Sequence, residues 1–205
     1  MDAKYWNNRA KGYYDQTNNP TEGLLKKLKD LNQRKHWLES CGGEAAASCM
    51  ASLGYNIEIV TPGGHILQAG ELIVDFLNGK RQENELSKIR SSVKTIPGNR
   101  LPQLYPYAVF SLFGADAEFR WVHNWKAICW QLESGHTIQL NLKKPDHFIA
   151  AVKYDKNTKE IIYNDSWPRK ANNFDGFNLR MTESEYENNV KNYAIIYYPP
   201  EAEAV

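Results

Sequence analysis

Apolar residues repeat with two different periods along this chain, and the change of period divides it in two. From Trp121 to Leu132, Val122, Trp125, Cys129 and Leu132 recur at helical spacing with Ile128 beside them. That pattern predicts a helix with one apolar face, stopped by Gly135. The period then drops to two. His136-Thr137-Ile138-Gln139-Leu140-Asn141-Leu142 alternates as a half-buried strand does. His147–Tyr154 and Glu160–Asn164 read as two more strands around the turn Asp155-Lys156-Asn157-Thr158, and Tyr193–Tyr198 as a last strand before Pro199-Pro200. Upstream, Cys41-Gly42-Gly43 opens an alanine-rich run that predicts a helix ending at Gly54, a residue suited to the left-handed position after a helix. Tyr55–Val60 is a short strand or extended segment, Thr61-Pro62-Gly63-Gly64 a turn, and Leu67–Leu77 a helix closed by Asn78-Gly79. Helices first and an antiparallel sheet after them is an α+β layout.

Residues 1–30 are polar and aromatic and read as an N-terminal extension packed on a domain of residues 31–200, with 201–205 a loose tail. The polar stretch Lys80–Lys94 reads as a surface helix or a loop. At 205 residues, with 42% apolar and 24% charged side chains, the chain suits one soluble globular domain, expected as a monomer. A net charge of +1 supplies no field for nucleic acid or an anionic membrane. No apolar run reaches the length of a membrane span, and Met1–Asn8 holds no apolar signal core. The expected location is therefore the cytoplasm in which the chain is made, unless a helper releases it to the cell wall. Three cysteines form no disulfide framework. Cys41 and Cys49 on one helix would stand roughly 12 Å apart, too far to bridge.

Chemistry concentrates at Cys41. A thiol at the start of a helix lies at the positive end of the helix dipole, which favours the nucleophilic thiolate. A cysteine nucleophile needs a base, and the base needs a third group to orient it. His147 opens one strand and Asp165 closes the next, so a hairpin centred near Lys156–Asn157 brings both to one end of the sheet. Whether they share a face depends on a one-residue register, and Asn164 is the competing orienter because its side chain points the other way. The Cys41 backbone N–H and the Gln33 side chain are the natural oxyanion donors. Cys49 and Cys129 read as core thiols. His36, His65, His123 and His136 show no ligand spacing, so neither a metal nor another cofactor is expected. Most aromatic residues between Tyr105 and Trp130 read as core, with a few left to line a groove for peptide or glycan.

Three segments carry a resemblance. Gln33, followed by Cys41-Gly42-Gly43-Glu44-Ala45-Ala46, then Asp146-His147-Phe148-Ile149-Ala150-Ala151-Val152-Lys153-Tyr154-Asp155, then Ile162-Tyr163-Asn164-Asp165-Ser166-Trp167-Pro168, resembles the bacteriocin-processing, double-glycine-type peptidases of the papain clan. Lys153 stands where that family usually has Gly, and Ser166 where it has Pro. The resemblance covers roughly residues 30–170 and implies a papain-like fold and thiol hydrolysis of peptide or amide bonds. It implies Cys41 as nucleophile, His147 as base and acid, Asp165 as orienter and Gln33 as oxyanion donor, with Gly42, Gly43 and Trp167 beside the substrate. A phage or bacterial lysin cutting peptidoglycan peptides fits these features. The alternatives are an intracellular processing peptidase, an effector acting on a protein, and an inactive papain-like module that binds peptide.

Overall fold

The computed structural model describes residues 41–57, 59–60, 66–67, 69–77, 102–121, 124–166 and 176–201. The expectations for the extension 1–30, for Gln33, for Lys80–Lys94 and for Trp167 lie outside the described residues. Among the described residues, helix α1 (Cys41–Ser52) comes first. A two-stranded ribbon follows, β1 (Ile59–Val60) with β2 (Ile66–Leu67), then α2 (Ala69–Leu77). A 3-10 turn at Pro102–Leu104 leads into α3 (Tyr105–Phe113), β3 (Ala117–Trp121) and α4 (Trp125–Glu133). The remainder is β4 (Thr137–Leu142), β5 (His147–Asp155), β6 (Glu160–Asp165), β7 (Leu179–Met181), α5 (Glu183–Asn189) and β8 (Val190–Tyr197). Among the described residues six strands form one antiparallel sheet in the order β3-β8-β4-β5-β6-β7.

The sheet lies between two apolar layers. On one face α1 packs with α2 and α3 against Phe148, Ala150, Ile195 and Tyr197. On the other, Trp125, Ile128, Cys129 and Leu132 of α4 cover Ile138, Leu140, Ile149 and Ala151. Every residue of α1 from Gly42 to Met50 is buried. An alanine-rich sequence permits this, because small side chains let neighbours close on the helix from all sides. The helix ends where expected: Gly54 takes φ +89°, and the Gly54 N–H donates to the Ala51 carbonyl.

The sequence misplaces two elements. Trp121 does not start a helix; it ends β3, paired with Tyr193 of β8. The helix starts at Trp125, where the Asn124 side chain accepts the Ala127 N–H at 2.9 Å and fixes the first turn. β4 is not half-buried either. Its polar residues Thr137, Gln139 and Asn141 are as buried as Ile138 and Leu140, because they face α1 rather than water. The Thr137 hydroxyl donates to the Cys49 carbonyl at 3.0 Å, and Gln139 Nε2 donates to the Gly42 carbonyl at 3.0 Å. Burial of polar groups at this depth is tolerable when they find partners, as Thr137 and Gln139 do.

Candidate active site

Strand register decides what the sequence left open. Ile149 pairs with Asp165, and His147 lies two residues before Ile149, so both side chains project from one face of the sheet. Their contact is direct: His147 Nε2 lies 2.6 Å from Asp165 Oδ1, with both residues buried. Asn164 pairs with Ala150 and faces α1 instead. There its amide donates to the Ser48 hydroxyl at 3.0 Å, and its carbonyl accepts the Asn178 N–H at 3.1 Å. Asp165 is thus the carboxylate on the imidazole, while Asn164 ties β6 to the helix.

Cys41 is the first residue of α1 and is half-buried. It stands within hydrogen-bonding reach of His147. Since Asp165 occupies Nε2, the other ring nitrogen, Nδ1, is left for the thiol. Burial by itself drives His147 toward its neutral form, but the hydrogen bonds to Asp165 and Cys41 and the charges on both outweigh it, and the imidazole is pushed up to about 9. At neutral pH the ring is therefore an imidazolium set between the thiol and the carboxylate, poised to give up a proton. The other two thiols differ. Burial pushes Cys49 far above the ordinary thiol range and Cys129 up to about 11, so both remain protonated.

Gly42 and Gly43 follow Cys41 for a packing reason. A Cβ on Gly42 would fall inside the Tyr105 hydroxyl and 2.9 Å from Tyr105 Cζ; one on Gly43 would fall on the Gly70 carbonyl of α2. Both glycines are buried, so what they can present to a substrate is backbone. Glu44 is fully buried, its carboxylate lying over Gly70. His136, read as a solvent-facing strand residue, is half-buried; its Nδ1 lies 2.6 Å from Gln131 Oε1 and its ring stands edge-on to Tyr198. Sequence reasoning passed over Gln139, Tyr105 and Tyr197, which sit directly beneath the first turn of α1. Gln139 carried a signal, as a long polar residue between apolar neighbours in a strand crossed by a helix. Among the described residues no group of three His, Cys, Asp or Glu side chains stands close enough to hold a metal ion, and no helix is long and apolar enough to cross a membrane.

A helix bearing a cysteine at its tip, packed on an antiparallel sheet that supplies a histidine, defines the papain-like cysteine peptidase class. The comparison with family models agrees: the Peptidase_C39-like family matches residues 12–195, and the chain belongs to that family. A search of curated proteins returns no match.

Replacing Asp165 with asparagine tests the electrostatics without a substrate. The change keeps the shape and removes the charge, so the His147 ionisation should fall from about 9 toward its ordinary value of 6.5 or below. The sign for stability follows. The raised folded value means that proton binding stabilises the native wild type fully below about 6.5, and that this stability is lost as pH rises through about 9. Imidazole NMR and thermal melts between pH 6 and 10 read both effects. The melting temperature of Asp165→Asn should vary less across that window than that of wild type.

Proposed function

We propose that the protein hydrolyses peptide or amide bonds through Cys41, His147 and Asp165, acting on the peptides of bacterial peptidoglycan. The observation that carries the reaction is the chain Cys41–His147–Asp165, with the imidazole held between a half-buried thiol and a buried carboxylate. Cys41 Sγ attacks the carbonyl carbon, and the negative charge that develops on the carbonyl oxygen is met by the Cys41 N–H and, from the resemblance, the Gln33 side chain. The imidazolium protonates the leaving nitrogen as the C–N bond breaks, leaving a thioester on Cys41. Water, deprotonated by the now neutral His147, attacks the thioester and releases a carboxylate and the free thiol. Asp165 holds the ring in one orientation and stabilises its charge throughout.

The substrate class draws support from an aromatic surface near the same end of the sheet. Trp121 is 60% exposed and stands edge-on to Phe119, with ring centroids 4.9 Å apart, and to Tyr193, at 5.8 Å. Tyr193 is hydrogen-bonded to Asn141, whose strand partner Phe148 follows His147. An exposed indole of this kind suits the flat faces of sugar rings carried beside a peptide. Digestion of purified sacculi, with released fragments read by mass spectrometry, tests the proposal. Wild type should release fragments with newly cut peptide bonds, and Cys41→Ala none. Cleavage of a protein substrate with sacculi left intact would replace the cell wall by a processing or effector role, and cleavage of neither would favour a peptide-binding module.

A further inference from the structure

Beneath the first turn of α1 lies a polar cluster that the reaction above does not use. Gln139 is fully buried in the middle of β4, on the sheet face that also carries Phe148, Ala150, Ile195 and Tyr197. Its Nε2 donates to the Gly42 carbonyl at 3.0 Å, its Oε1 accepts the Tyr197 hydroxyl at 2.7 Å, and it is also hydrogen-bonded to Tyr105. Tyr105 and Tyr197 are both fully buried. Tyr105 fills the space where a side chain on Gly42 would stand. The cluster thus grips the residue next to the nucleophile from two directions, by a hydrogen bond to its carbonyl and by contact on its Cα.

An uncharged amide at this depth costs free energy unless its groups are paired, and a leucine or methionine would pack there with no such demand. What the amide adds is direction. A carbonyl has two lone pairs, the intrahelical bond uses one, and Gln139 takes another from the sheet side. The first turn of a helix is the part most prone to fray, because its N–H groups have no intrahelical partners. Here that turn carries Cys41, while His147 belongs to the sheet. A hydrogen bond that joins the turn to the sheet fixes the two reacting groups relative to one another.

We propose that Gln139 is a positioning residue for the hydrolysis: its hydrogen bond to the Gly42 carbonyl, braced by Tyr105 and Tyr197, sets Cys41 Sγ against the His147 ring. The inference rests on the peptidase reading above and deepens it. Thr137, two residues earlier on the same face, makes the similar bond to the Cys49 carbonyl, but that bond is two helical turns from the nucleophile and supports only the helix.

Gln139→Met keeps the volume and removes the bonds to Gly42, Tyr197 and Tyr105. A displacement of about 1 Å at a reacting atom is worth roughly 100-fold in rate, so kcat should fall by 10- to 100-fold while KM stays within about twofold. The His147 imidazole, followed by NMR in the same variant, should titrate below wild type, because contact with Cys41 helps to raise it. Gln139→Glu supplies the rescue. When protonated its carboxyl can donate to Gly42 and accept from Tyr197 as the amide does, and burial between two phenol hydroxyls favours that form. Its activity relative to wild type should therefore recover as pH falls and collapse as the buried carboxyl ionises. Thr137→Val should leave both readouts near wild type.

Unchanged kcat and an unchanged His147 titration in Gln139→Met would overturn the proposal. So would a loss of activity that only tracks a loss of folded protein in thermal melts. The NMR readout needs no substrate. A wild type that cleaves nothing would sink the peptidase reading, while the imidazole shift would still report whether Gln139 sets the Cys41–His147 contact.

Discussion

Cys41→Ala should abolish hydrolysis, with kcat reduced by on the order of a millionfold, the scale on which loss of a nucleophile acts in enzymes of this logic. Folding should survive, because the side chain is small, half-exposed and followed by a helix start of Gly42 and Gly43 that does not depend on it. Thiol reactivity gives the same test without a substrate. Cys41 is the thiol placed against an imidazolium, whereas burial holds Cys49 and Cys129 protonated. Iodoacetamide below pH 7 should therefore modify Cys41 at least tenfold faster than the other two, as read by peptide mass mapping. His147→Ala should erase that preference, since it removes the positive charge that favours the thiolate. Equal modification of all three cysteines would remove the basis for a nucleophile at Cys41.

The second large effect is expected from one methyl group. Gly42→Ala places a Cβ inside the Tyr105 hydroxyl, and Tyr105 has little room to retreat, being fully buried, tilted against Phe148 at 5.7 Å between centroids and hydrogen-bonded to Gln139. Overpacking of this kind costs about 1–3 kcal/mol, which denaturant unfolding measures. Activity should suffer more than stability, because the strain is relieved most easily by shifting the first turn of α1 and Cys41 with it. Removing the offending oxygen in Gly42→Ala/Tyr105→Phe should restore part of the stability. A Gly42→Ala variant with wild-type stability and activity would mean that Tyr105 swings aside freely, which the packing around it contradicts.

Much of the site was legible in the sequence because it depends on order and local signals. A cysteine at a glycine-marked helix start, a histidine opening a strand and an aspartate closing the next all stand in the structure where the pattern put them. The choice between Asp165 and Asn164 was not legible, since adjacent strand residues face opposite sides and only the pairing of Ile149 with Asp165 selects one. The burial of β4 was hidden for a related reason. Alternation marks one apolar face, but it does not tell whether the polar face meets water or the carbonyls of a crossing helix. α5 was missed although its signal was present: Thr182 and Glu185 form a capping box, each side chain bonded to the other's backbone. α3 was missed because its aromatic residues were read as general core rather than for their spacing, with Tyr105, Ala108 and Val109 buried at helical intervals.

The polar strip on β4 has a consequence for how the chain avoids folding wrongly. If β4 slipped by one residue against its neighbours, Thr137 and Gln139 would turn from the carbonyls of α1 into the layer filled by Trp125, Ile128 and Leu132, where aliphatic and aromatic side chains offer no carbonyl to bond. Each stranded polar group would cost about 1–3 kcal/mol, a sizeable part of the stability of an ordinary domain. Central strands with uniformly apolar faces carry no such penalty and can trade one pairing for another. Here the misregistered sheet is disfavoured by its own chemistry, and the strand that anchors α1 also rejects competing structures.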